Sequence, residues 1–283
     1  MNETINICEC PRDAIQGIKE FIPTEIKAKY LNHLIRVGYD KLDFGSFVSP
    51  KAIPQLKDTA DVLDKLELNQ HTNLLAIIAN ERGAKDACEF EEINFLGFPF
   101  SVSEIFQQRN TNASLEKAFY RLQNIADLAH KHSKNLQVYL SMGFGNPYGE
   151  KWHPEIVLNW SERLSNLNVK HVALSDTIGC STKESITFLF QSLKKEISDI
   201  TYIAHLHSTP DTSMSKIQAS YDAGCRHFDS AIKGFGGCPM AKDDLTGNIA
   251  TEKLFEFMSL NGIKHNYNIE AFKQSLHFSS QVF

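Results

Sequence analysis

Short apolar runs rich in Val, Ile, Leu and Phe alternate along the chain with longer segments in which apolar positions recur every three or four residues. The first kind predicts strands buried on both faces, the second helices with one face on a core. Strands are expected at Ile5–Cys8, Lys41–Phe44, Asn73–Ala79, Ile93–Leu96, Leu136–Ser141, His171–Leu174, Ile200–His205 and His227–Ser230. Helices are expected at Thr24–Val37, Ser114–His132, Pro154–Leu167, Thr182–Ile197 and Thr212–Ala223, several opened by Ser, Thr or Pro and the first closed by Gly38.

Eight strands joined by helical crossovers close into a (β/α)8 TIM barrel of the α/β class, and the 283 residues suit one barrel of roughly 250 residues. No Pro/Gly/Ser-rich linker interrupts the alternation, so residues 1–283 are read as a single domain. An open doubly wound sheet has the same alternation, but Pro11-Arg12-Asp13 stands where that fold carries a glycine-rich fingerprint.

A barrel enzyme places its chemistry where strands end and the following loops begin. Arg12, Asp13, Asp43, Ser46, Asn80, Ser141, Asp176, His205, His207, Cys238 and Asn248 all fall there. Charge narrows the partners. A formal net charge of −5 gives no basic field for nucleic acid or an anionic membrane, and no apolar run suggests a transmembrane helix. The first residues lack the charged and apolar regions of a signal peptide, so a soluble, cytoplasmic protein is expected. Six scattered cysteines do not resemble a disulfide framework. Cys8 and Cys10 have no second Cys/His pair at zinc-like spacing and read as buried strand thiols.

The most informative triplet is His205-Leu206-His207, because side chains two apart on a strand point to the same side. Two imidazoles with the Asp13 carboxylate suit a divalent cation that keeps positions open for water and substrate. His-x-His alone more often describes two hydrogen-bonded histidines; its place at a barrel rim changes the balance. Arg12 puts a fixed cation beside Asp13, suited to an enolate or thioester oxygen, although Arg-Asp alone also describes a surface ion pair. Gly234-Phe235-Gly236-Gly237-Cys238-Pro239 makes either a mobile loop carrying a proton-transferring thiol or a tight turn with an inert one. A phosphate cradle is a third reading, without the Gly-Lys-Ser/Thr that would support it.

From about Ile7 to Glu252 these residues resemble the hydroxymethylglutaryl-CoA lyase family, metal-dependent barrel lyases related to isopropylmalate and homocitrate synthases. The matching stretches are Pro11-Arg12-Asp13 with Gln16, Ser46-Phe47-Val48-Ser49-Pro50-Lys51 with Pro54-Gln55, and Asp176-Thr177-Ile178-Gly179. His205-x-His207, Gly234-x-Gly236-Gly237-Cys238-Pro239 and Gly247-Asn248-x-Ala250-Thr251-Glu252 complete the set, in the same order.

The resemblance implies cleavage of 3-hydroxy-3-methylglutaryl-CoA into acetyl-CoA and acetoacetate, with Mg2+ or Mn2+ held by Asp13, His205, His207 and Asn248. It implies Arg12, Asp43, His205 and Cys238 as catalytic residues, Arg12, Gln16, Ser46, Asn80 and Asp176 as substrate-binding residues, and a homodimer. A sister lyase or Claisen-type synthase on another 3-hydroxy acyl-CoA, and a non-catalytic CoA-binding barrel, are the competing readings.

Five positions depart from the family pattern. Asp43 and Cys8 stand where the family has Glu, Cys10 where it has a small residue, Ser208 where it has Asp, and Asn146 where it has Cys before Pro147-Tyr148.

Overall fold

In the computed structural model, which describes residues 4–237 and 246–283, eight parallel strands close into a barrel. They are β1 (Asn6–Glu9), β2 (Lys41–Ser46), β3 (Asn73–Ile77), β4 (Ile93–Ser101), β5 (Asn135–Ser141), β6 (His171–Asp176), β7 (Thr201–Ser208) and β8 (His227–Ser230). Each pairs with the next, and β8 returns to β1. A ninth strand, β9 (Gly247–Asn248), lies antiparallel on β7 and sets Asn248 opposite His207.

The helices are α1 (Pro11–Gln16), α2 (Thr24–Ile35), α3 (Thr59–Leu63), α4 (Glu81–Cys88), α5 (Glu104–Thr111) and α6 (Leu115–Lys131), then α7 (Pro154–Asn166), α8 (Lys183–Glu196), α9 (Ser213–Asp222), α10 (Thr251–Leu260) and α11 (Ile269–Phe278). Local chemistry starts several of them. The Ser114 hydroxyl accepts from Lys117 N at the head of α6, Thr182 and Ser185 form a reciprocal capping box on α8, and Pro154 opens α7. None of the described helices is long and apolar enough to cross a membrane.

The expected elements are all present, with shifted ends. β4 is the largest departure: it runs past the expected Leu96 to Ser101, with Pro99 opposite Tyr139 of β5. A proline breaks the apolar run as a sequence pattern, yet its ring faces the barrel cavity while Phe98 and Phe100 on either side fill the core.

Alternation along the strands builds two apolar layers. The larger lies between barrel and helices; the smaller, of Leu75, Ile77, Phe95, Tyr139, Ala173 and Ile203, fills the barrel on the β3 to β7 side. On the β8, β1 and β2 side the buried residues at the alternate positions are instead Asp229, Cys8 and Asp43. Glu9 has the opposite parity from Cys8 and enters the strand–helix layer, fully buried, where Ile232 N and the Thr251 hydroxyl donate to its carboxyl at 2.8 and 2.6 Å.

Candidate active site

Pro11 opens α1 directly after β1, which places Arg12 and Asp13 on a helical first turn rather than in a loop. Asp13, His205 and His207 are all buried, and they present ligand atoms within 4.8 Å of one another. Each imidazole is held by its Nδ1. That of His205 donates to Asp229 Oδ2 at 3.0 Å and that of His207 to the Thr177 carbonyl at 3.1 Å, so both Nε2 atoms remain for a ligand.

The residues fit a divalent cation on two further observations. His207 Nε2 is buried with no hydrogen-bond partner among the described residues. Burial, reinforced by His205, pushes His207 down to about 4, which leaves a neutral imidazole with its lone pair available at physiological pH. Burial disfavours the charge of Asp13, but Arg12 and the two histidines outweigh it and hold the carboxyl below its ordinary value. His205 is raised: burial opposes its charge, and the bond to Asp229 overcomes it.

Arg12 is fixed from three sides. Its Nε donates to Asp43 Oδ1 and Oδ2 at 3.1 and 3.0 Å, Nη2 to Asp43 Oδ2 at 2.6 Å, and Nη1 to Asp13 Oδ1 and Gln16 Oε1 at 3.1 and 2.9 Å. Burial pushes Asp43 up to about 6 against the pull of Arg12, so the pair is ionic at neutral pH. The shorter carboxylate therefore still reaches the guanidinium. Gln16 Nε2 also donates to Asp13 Oδ1, at 2.8 Å.

Asn248 donates through Nδ2 to Asp13 Oδ2 at 2.7 Å and to the Phe235 carbonyl at 2.9 Å, tying β9 and the glycine segment to α1. Gly236 is required there. With φ of +95°, a Cβ would stand 2.6 Å from Asn248 Nδ2 and 3.0 Å from Asp13 Oδ2. Arg12, Asp13, His205 and His207 line a cavity of about 350 Å3. Val48, Ile53, Ile77 and Pro99 give it an apolar wall, and Arg109 of α5 stands farther round.

A family model described as HMGL-like matches residues 4–278. The chain belongs to the HMGL-like family. It is 31% identical over 260 residues to a hydroxymethylglutaryl-CoA lyase of Bacillus subtilis (strain 168), covering 92% of this chain and 86% of that protein. It is 30% identical over 260 residues to a Pseudomonas aeruginosa protein named as a 3-hydroxy-3-isohexenylglutaryl-CoA/hydroxymethylglutaryl-CoA lyase, covering 92% and 85%. The structure of an HMG-CoA lyase from Acinetobacter baumannii in complex with coenzyme A and 3-methylmalate superposes with a TM-score of 0.93 at 27% identity, covering 100% of this chain and 92% of that one.

In this HMGL-like barrel, Arg12, Asp13, Gln16, His205 and His207 line the cavity together. Asp43 is fully buried beneath Arg12. Three expected substrate-binding residues, Asn80, Ser46 and Asp176, have hydrogen-bond partners within the fold and are not among the residues lining the cavity. The Asn80 side chain caps α4 by accepting from Gly83 N, and Ala79 lines the cavity in its place. Ser46 Oγ accepts from Val48 N at 3.2 Å. Asp176 is buried under the rim, accepting from Ser181 Oγ at 2.5 Å and Lys216 Nζ at 2.6 Å, and the same Nζ donates to the His207 carbonyl at 2.7 Å. Cys238 lies outside the described residues.

Sequence reasoning missed Asp229 and Lys216. Both belong to no motif, but inward parity on β8 is a signal for the first. Asp229 is the carboxylate that holds the His205 imidazole.

Proposed function

We propose that the chain is a lyase cleaving the C2–C3 bond of 3-hydroxy-3-methylglutaryl-CoA, giving acetyl-CoA and acetoacetate. The reading rests on one observation: Asp13, His205 and His207 converge on a cavity that the fixed guanidinium of Arg12 also lines. Asp13, His205, His207 and the Asn248 amide oxygen would hold Mg2+ or Mn2+, whose hard oxygen and imidazole preferences match this set. When bound, such an ion supplies a Lewis acid that acidifies a 3-hydroxyl.

As the C2–C3 bond breaks, the 3-hydroxyl proton passes to water in the cavity, and the chain's own residues act on the rest of the substrate. Arg12 stabilises the thioester oxygen as it becomes an enolate, and Asp43 positions Arg12. His205 has one nitrogen free, because Nδ1 is committed to Asp229; ligation and proton transfer compete for Nε2, and we assign it to the cation. Cys238 is assigned to proton delivery to the enolate carbon.

The test is acetoacetate and acetyl-CoA formation by the purified protein with Mg2+ or Mn2+. Release of both products in equal amounts supports the assignment, and their absence with metal bound refutes it. The apolar wall of Val48, Ile53 and Ile77 also favours a longer 3-branch. A higher kcat/KM with isohexenyl than with methyl at that carbon would establish the second reading.

A further inference from the structure

The polar half of the barrel interior holds a second group of ligand residues, of which only Asp229 also serves the proposed lyase site, through His205. Cys8 and Asp229 are partners in the register of β1 with β8, so their side chains enter the barrel next to each other. Cys10 follows just past the end of β1, immediately before α1. The two Sγ atoms are 4.0 Å apart, and both lie within 4.8 Å of an Asp229 carboxylate oxygen. All three residues are buried, at 5%, 0% and 1% exposure.

Both thiols have weak partners, Cys8 Sγ donating to the Glu9 carbonyl at 3.9 Å and Cys10 Sγ to the Cys8 carbonyl at 3.5 Å, whereas the carboxylate is only half satisfied. Asp229 Oδ2 meets His205, whereas Oδ1 has no hydrogen-bond partner among the described residues. The Tyr139 hydroxyl, inside the same barrel and within the field of Asp229, Cys8 and Cys10, has none either. Burial keeps the Cys8 thiol above its ordinary value, and the bond to Cys8, then burial, does the same for Cys10. Two neutral thiols are weak donors, a poor match for an orphaned carboxylate oxygen whose desolvation costs about 1–3 kcal/mol or more.

A tetrahedral ion with thiolate bonds of about 2.3 Å separates its sulfurs by about 3.8 Å, close to the spacing found. A route exists that avoids the catalytic cavity. A small cavity of about 30 Å3 reaches Cys8 and Asp229 past Asn6, Lys41 and His227, which lie at the starts of their strands.

We propose that Cys8, Cys10 and Asp229 bind a thiophilic divalent cation of the Zn2+ class, separate from the oxygen- and nitrogen-ligated site, with the Tyr139 oxygen or a water as fourth ligand. Binding releases the two thiol protons to solvent. Asp229 then joins the two centres, with Oδ1 on the soft ion and Oδ2 on His205, so occupancy adjusts how strongly that imidazole is held. The proposal stands on these residues alone and is independent of which acyl-CoA is cleaved.

The test uses the reduced full-length protein with Mg2+ in excess, titrated with Co2+. One equivalent of Co2+ should bind with an intense thiolate-to-cobalt charge-transfer band, which persists in Cys238→Ser and disappears in Cys8→Ser/Cys10→Ser. X-ray absorption of the wild-type protein carrying one equivalent of Zn2+ covers the case in which the double variant does not fold. Two sulfur scatterers at about 2.3 Å are expected. A shell of oxygen and nitrogen only, no charge-transfer band in the wild-type protein, or a band that survives loss of both thiols would overturn the proposal.

Discussion

Glu9→Gln isolates the free energy of one buried carboxyl. Glu9 accepts from Ile232 N and the Thr251 hydroxyl, joining β1 to the glycine segment and to the start of α10, and Glu252 adds negative charge nearby. Burial raises it from an ordinary 4.5 to about 8. At about 1.4 kcal/mol for each pH step, that difference corresponds to about 5 kcal/mol. The folded state holds the proton more tightly than the unfolded one, so this contribution is complete below about pH 4.5 and is lost as pH rises through about 8. Glutamine keeps the acceptor oxygen without the charge. Urea unfolding of both proteins from pH 4.5 to 9 should show the variant gaining on the wild type by about 5 kcal/mol, with the difference level above about pH 8. Parallel stability curves would refute the reasoning, because they require a Glu9 that titrates alike folded and unfolded.

The other predictions concern the site. Arg12→Lys should lower kcat by about 10²–10³-fold with a smaller change in KM, since an ammonium cannot keep both the Asp43 fork and the enolate contact; a KM-only effect in steady-state kinetics contradicts the role. Asp43→Ala should cost about 3 kcal/mol by taking the carboxylate fork from a buried Arg12 that keeps only Asp13 and Gln16, and Asp43→Glu about 1–3 kcal/mol by adding a methylene at a fully buried position. Denaturation with parallel kinetics checks both, and a marked gain of activity in Asp43→Glu would point to an impaired natural site. Gly236→Ala should weaken Mn2+ binding in calorimetry by driving Asn248 and Asp13 apart, and unchanged affinity would show that the segment gives way without disturbing the ligands.

The barrel was legible because parallel strands and amphipathic crossovers leave different apolar periods, and the HMGL-like family was legible from motifs in fixed order. What escaped was either short or dependent on packing. The six residues of α1 are too few to show a helical period, and the two residues of β9 gain meaning only against β7. β4 continues past Leu96 through Pro99, which lines the cavity, a placement that depends on the barrel rather than on the local pattern. The bond by which the Asn80 side chain caps α4 depends on where that helix begins. Cys8 drew notice as a departure from the family's Glu, while Glu9, one position on and facing the other way, carries the buried carboxyl. Parity identifies Asp229 as inward, but its place between His205 and Cys8 follows from the register of β8 with β1.

The central claim, a cation-dependent carbon–carbon lyase centred on Asp13, His205 and His207, is tested most directly by acetoacetate release from 3-hydroxy-3-methylglutaryl-CoA. The assay compares metal-stripped protein, the same protein restored with Mn2+, and a His207→Ala variant of verified fold. Turnover should be absent when stripped, recover with Mn2+, and stay low in the variant at Mn2+ concentrations that saturate the wild type. Full turnover by stripped protein with negligible metal content, or an unaffected His207→Ala variant, would contradict the account.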